Sequence, residues 1–255
     1  MPLPFTKGIP PAARGAAADP DSLQASPLEA GPQLPDHPPK PPETLGEKLS
    51  DALALFLSAV LSPYIVIPVG TLYLVWARSR ANPELFWPWL GVSLFFSTIL
   101  PVLFIMYGIW RGTITDIHVM ERTQRGGPFV VAIIGSLVAA IALHWMGAPR
   151  SVWALSAILA VNGVAMLFIT NYTKISIHVA VLSATVLGAS ILEPMIHPLT
   201  LVWLIPALMW GRWRRGRHTW AQGIMGCVVA CLLTAGTIAS IGLVQRLYQY
   251  VERMI

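Results

Sequence analysis

From residue 49 to residue 243 the chain alternates long apolar runs with short polar islands, and no other feature restricts its fold as much. A helix needs about 20 apolar residues to cross about 30 Å of hydrocarbon. Within a bilayer only helices and closed barrels satisfy their own backbone groups. Seven runs can be traced, at 49–77, 86–110, 128–146, 152–171, 175–192, 198–210 and 220–243. The sixth is short for a crossing and fits a tilted or re-entrant segment. Composition agrees: 55% of residues are hydrophobic and 11% charged, where a soluble domain carries about 25% charged residues. The expected fold class is all-α, a polytopic transmembrane helical bundle of about six or seven spans with the bilayer as its partner.

Residues 1–48 differ in kind. They hold 12 of the 22 prolines, including the run from His37 to Pro42, and show no hydrophobic periodicity. Such a segment buries too little apolar surface to offset its ordering entropy, which predicts a disordered N-terminal tail over 1–48 and a membrane domain over 49–255. Residues 1–51 carry 4 basic and 7 acidic side chains, whereas 52–255 carry 13 basic and 5 acidic. The basic excess therefore sits between apolar runs rather than on a polar face, which argues against nucleic acid and for an anionic lipid or a phosphorylated substrate. Cys227 and Cys231 are too few for a disulfide framework and read as packing residues, and neither a metal nor a cofactor is expected.

The runs come in pairs, and each pair returns the chain to the side it left. The islands at 111–127, 172–178 and 211–218 then share one face of the membrane with the tail. Eight basic residues (Arg111, Arg122, Arg125, Lys174, Arg212, Arg214, Arg215 and Arg217) fall on that face, against five (Arg78, Arg80, Arg150, Arg246 and Arg253) on the other. The positive-inside rule places the islands in the cytoplasm, in the inner (cell) membrane of a bacterium. Tryptophans near run ends, among them Trp76, Trp87, Trp89, Trp110 and Trp145, read as an interfacial belt. Pro63 and Pro68 predict a kink in the first run. Gly163, Ala180, Ser183, Ala184 and Gly188 suit close helix packing. Whether the protein forms a homo-oligomer is left open.

The islands carry the chemistry. Arg212 and His218 stand near the start of the last run, and His218 and Gln222, four apart, share a helix face. An imidazole beside an arginine at a helix N-terminus can attack phosphorus. Its other ring nitrogen needs an acceptor to fix the tautomer, and the Gln222 oxygen fits. Upstream, Lys174, Ser176 and His178 offer a cation, a hydroxyl and an acid for the leaving oxygen. Arg122 and Arg125 can clamp phosphate oxygens. Asp116 with His118 fits a metal pair or an orienting acid, but reads better as a solvated loop. Glu193 and His197 lie on the opposite side by parity.

The arrangement Arg212-x5-His218-x3-Gln222, with Ser176-x-His178 before it, resembles the type 2 phosphatidic acid phosphatase superfamily of lipid phosphatases, which includes the vanadium haloperoxidases. The resemblance covers roughly 50–245. It implies metal-independent hydrolysis of a lipid phosphomonoester or diphosphate through a phosphohistidine. In that scheme His218 is the nucleophile, His178 the general acid, and Arg212 and Ser176 bind phosphate. Several positions depart from the family signatures. Gly211 stands for Ser, Ile175 for Pro, Ile177 for Gly and Gln222 for the orienting Asp. In the first signature Met120 and Gly127 stand for Lys and Arg ahead of Pro128, with Arg122 and Arg125 nearby as substitutes. A weakened or inactive relative that binds lipid or assists assembly is the alternative.

Overall fold

The computed structural model describes residues 44–117, 119, 121–193 and 198–252, with the side chains of 122, 198–199 and 244–252 left aside. The expected tail, up to residue 43, and His118, Met120, Pro194 and His197 lie outside the described residues. Among the described residues the architecture is entirely helical.

The first helix, α1 (Leu45–Val60), begins four residues before the boundary predicted from composition. Thr44 and Glu47 form a capping box, in which each side chain accepts from the other's backbone N–H at 3.2 Å and 3.0 Å. The chain then breaks at Leu61 and Ser62, and α2 (Pro63–Arg78) leaves at 52° to α1. Ser62 is extended because it precedes a proline, and Pro63 sits at the first helical position, where its missing N–H costs nothing. The kink expected along one span is therefore a joint between two helices, and Pro68 lies within α2.

A continuous rod follows, made of α3 (Phe86–Leu94), a π-turn (Phe95–Ile99) and α4 (Leu100–Trp110). After the 111–125 loop come α5 (Gly126–Trp145), α6 (Arg150–Tyr172), α7 (Ile177–Leu192), α8 (Leu204–Arg214) and α9 (Trp220–Glu252). Among the described residues four helices are long and apolar enough to cross a membrane: Pro83–Trp110, Gly126–Trp145, Arg150–Tyr172 and Trp220–Leu243. The bent pair α1–α2 makes a fifth if it is counted as one span.

Packing joins α5 to α6, α7 to α9, α1 to α8 and α2 to α7. One core cluster gathers Leu74, Leu155, Ile158, Met166, Ala184 and Ala230 from α2, α6, α7 and α9. Glycines permit the closest approaches. A Cβ at Gly135 would stand 2.2 Å from the Phe96 carbonyl oxygen, so α5 lies directly on the backbone of the π-turn. Trp89 departs from the expected belt: it is 2% exposed and packs with Val75 and Leu143. Trp87, Trp110 and Trp145 are exposed, as lipid-facing or interfacial rings would be.

The two ends of the helices are distinct. At one end Arg78 of α2 pairs with the buried Glu193 and donates to the Leu192 carbonyl at 3.1 Å, while the Tyr73 hydroxyl donates to the Glu193 carbonyl at 3.0 Å. At the other end the Tyr64 hydroxyl donates to the Ile117 carbonyl at 2.6 Å, and the Ser176 N–H donates to the Gln222 carbonyl at 3.3 Å. The start of α2, the 111–125 loop, the α6–α7 joint and the α8–α9 joint therefore meet at one end.

Candidate active site

The joint between α8 and α9 sets the spacing of Arg212 and His218. α8 stops because Gly216 adopts φ +61°, the left-handed region open to glycine. The Gly216 N–H donates to the Trp213 carbonyl at 2.9 Å and the Arg217 N–H to the Arg212 carbonyl at 3.0 Å. This is a Schellman C-cap. Two residues later Thr219 caps α9: the Gln222 N–H donates to Thr219 Oγ1 at 3.3 Å, and the Thr219 N–H donates to Gln222 Oε1 at 3.2 Å. The pair forms a second capping box. His218 is pinned between the two caps.

Gln222 Oε1 also lies 3.0 Å from His218 Nδ1. A backbone N–H can only donate, so the Gln222 atom facing Thr219 is the amide oxygen. That oxygen can only accept, so Nδ1 carries the proton. In the neutral imidazole Nε2 then holds the ring's lone pair.

A cavity of about 600 Å³ opens at this end of the helices. All three islands reach it. Arg125 lines it from the first, His178 from the second, and Arg212, Arg215, Arg217 and His218 from the third. Asp116 is the one carboxylate among the lining residues. Burial, and then the nearby Arg217, lower the pKa of the Arg215 guanidinium below its usual value. Arg212 Nε is buried with no hydrogen-bond partner among the described residues. Four guanidiniums lining one cavity with one acid are chemically suited to an anion.

The other predicted residues stand back from the cavity. Between α6 and α7, Ile175 lines the cavity, and Lys174 is half-buried outside the lining. Ser176 is fully buried, its Oγ without a partner among the described residues, and it too is absent from the lining. Gln222 touches the cavity only through His218. For Arg122 only the backbone, in a short 3-10 turn, is described. Arg125 Nε donates to the Val119 carbonyl at 2.9 Å, which orders the loop.

Sequence reasoning missed Arg215 and Arg217 as cavity residues and missed Asn162 on α6 altogether. The signal for Asn162 was present, as a lone amide in the middle of a 23-residue helix with hydropathy 2.2. It also counted Gly211 as an eroded serine. A Cβ there would lie 3.2 Å from the Ala54 carbonyl oxygen, so glycine lets α8 seat against α1. The Asp51–Arg214 pair, at 2.7 Å, closes the same contact. No protein-family model, curated protein or solved structure matches the chain.

Proposed function

We propose that the protein is a membrane phosphatase of the type 2 phosphatidic acid phosphatase kind, hydrolysing a lipid phosphomonoester or diphosphate. One observation carries this reading: His178 and His218 line one cavity with four arginines, and the capping box leaves His218 Nε2 with a lone pair. Nε2 attacks phosphorus, the bond from phosphorus to the leaving oxygen breaks, and His178 gives that oxygen its proton. Water then attacks the phosphohistidine, His178 takes the water's proton, and the phosphorus–nitrogen bond breaks to release phosphate. Arg125, Arg212, Arg215 and Arg217 neutralise the charge that spreads over the phosphoryl oxygens.

In this reading α2, the rod 83–110, α5, α6, α7, α8 and α9 make seven crossings with the cavity on the cytoplasmic side of a bacterial inner membrane. α1 then lies in the interface. Its exposed Leu45, Leu49, Leu53, Phe56 and Val60 form one stripe at helical spacing, opposite Glu47, Lys48 and Asp51.

Purified full-length protein in detergent should release phosphate from at least one of phosphatidate, phosphatidylglycerol phosphate or a prenyl diphosphate. His218→Ala and His178→Ala should each abolish release; full activity in both variants would refute the assignment. The neutral Gln222, in place of a carboxylate, favours a second reading as a lipid-binding relative without turnover. Trapping labelled phosphohistidine at His218 separates the two.

A further inference from the structure

The cavity does not end at the cationic mouth. It continues down between the rod, α5, α6 and α7, past apolar walls that include Ile105, Phe129, Ile133, Met166 and Val181. Its floor is polar. Asn162, Ser97, Thr98 and Ser136 all line it. From Asn162 to the end of α6 at Tyr172 is ten residues, which at the helical rise puts the floor about 15 Å below the mouth.

Asn162 is 7% exposed. Its amide nitrogen donates to the Ile158 carbonyl at 3.0 Å and lies 3.4 Å from Thr234 Oγ1. Its remaining polar atom, Oδ1, has no hydrogen-bond partner among the described residues. Ser97, 6% exposed, and Thr98 likewise have unpartnered hydroxyls. These two residues are successive, and both line the cavity within the π-turn, a distortion frequent at functional sites. A buried acceptor at mid-span is costly unless something hydrogen-bonds to it.

We propose that Asn162, Ser97 and Thr98 form a second subsite, which takes a hydrogen-bond donor carried on the apolar part of a phosphorylated amphiphile. The ligand class is a phosphate joined through a hydrocarbon stretch to a hydroxyl or amide N–H. The donor requirement follows from Oδ1, which can only accept. This inference rests on the mouth being a phosphate site.

The probes are alkylphosphonates and their ω-hydroxy counterparts, 8 to 16 carbons long, titrated calorimetrically into the full-length protein in detergent. Their carbon–phosphorus bond resists hydrolysis. The hydroxyl should raise affinity most near about ten to twelve carbons, the length that reaches a floor about 15 Å down. The gain should be about fivefold, the worth of one hydrogen bond. Asn162→Leu should erase that gain while the plain chain binds as before, and Ser97→Ala should reduce it. The length dependence in the wild type is itself decisive, should a variant fail to fold. Binding that depends on Arg212 but shows no maximum with hydroxyl position would mean that water alone satisfies the floor, and would overturn the subsite. A maximum that survives Asn162→Leu would also overturn it. If neither series binds, or binding ignores Arg212→Gln, the phosphate reading fails and the subsite falls with it.

Discussion

Two glycines on the same helix should respond oppositely to alanine. At Gly226 an added Cβ would stand 2.8 Å from the Ser176 carbonyl oxygen, with Ile175 Cγ1 and the Ala180 nitrogen at 3.6 Å. The oxygen belongs to a backbone, so relief requires α7 to move off α9. Alanine in a helix interior gains about 1 kcal/mol over glycine. Overpacking costs about 1–3 kcal/mol. The displaced Ser176 N–H to Gln222 carbonyl bond, at 3.3 Å, costs about 1 kcal/mol more. The net loss is about 1–3 kcal/mol, or roughly 2–12 °C in melting temperature for a chain of this size. At Gly236 nothing lies within 4 Å of the built Cβ, so Gly236→Ala should keep its propensity gain of up to about 1 kcal/mol. Thermal melts of both variants in one detergent, followed by far-UV circular dichroism, make the comparison. Gly226→Ala should also lose phosphate release out of proportion to its melting shift, because the same contact holds the His178 and His218 segments together. Melting of Gly226→Ala at or above wild type, or equal shifts of one sign in both variants, would refute the close-approach argument.

Gly216→Ala should cost about 1–2 kcal/mol through its left-handed backbone, with Gly216→Asn milder; paired melts check this. Gln222→Leu should lower kcat about 10–100-fold with KM little changed, since it removes the tautomer lock and one cap, whereas Gln222→Glu keeps both acceptors and should retain most activity. The lowered pKa of Arg215 means that its proton is held less tightly folded than unfolded. Its charge therefore costs stability across neutral pH, and that cost is released only as the pH climbs toward the guanidinium range. Arg217→Gln should accordingly melt higher than wild type without ligand at pH 7, yet gain less from added inorganic phosphate. For wild type that gain approaches about 2.7 kcal/mol at a hundred times Kd.

Helices were legible wherever apolar length alone decides. The runs at 86–110, 128–146 and 152–171 became Pro83–Trp110, Gly126–Trp145 and Arg150–Tyr172, each within a few residues. Boundaries set by hydrogen bonds were less so. A composition boundary at residue 48 overlooks the Thr44-x-x-Glu47 box, although that box is a sequence signal in its own right. The site was legible where spacing fixes geometry, as in His218 and Gln222. It was illegible where a turn decides orientation. Gly216 and the cap around it rotate Arg215 and Arg217 into the cavity, and no period in the sequence marks that rotation. Lys174 reads as a site cation beside Ser176 and His178, and it stands outside the cavity lining. Trp89 lies near the end of its run and still packs inward, because α3 is pressed against α5.

If the chain is a lipid phosphatase, as proposed, its departures from that family's signatures share a physical sense once packing is considered. Gly211, in the serine position, makes room for the α1 backbone at Ala54, so a helix is seated where a hydroxyl would have been. Ile175 and Ile177, in the proline and glycine positions, both present side chains to the cavity. On that proposal the pocket has aliphatic surface where open backbone would stand, and Arg215 and Arg217 would supply anion affinity as charge rather than as directed hydrogen bonds. Neutral donors hold an anion by geometry and are insensitive to ionic strength, whereas guanidiniums that are partly open to water are screened. An anion held this way should weaken steeply as salt rises, and its orientation should depend on the bidentate reach of the half-buried Arg212 more than on any hydroxyl.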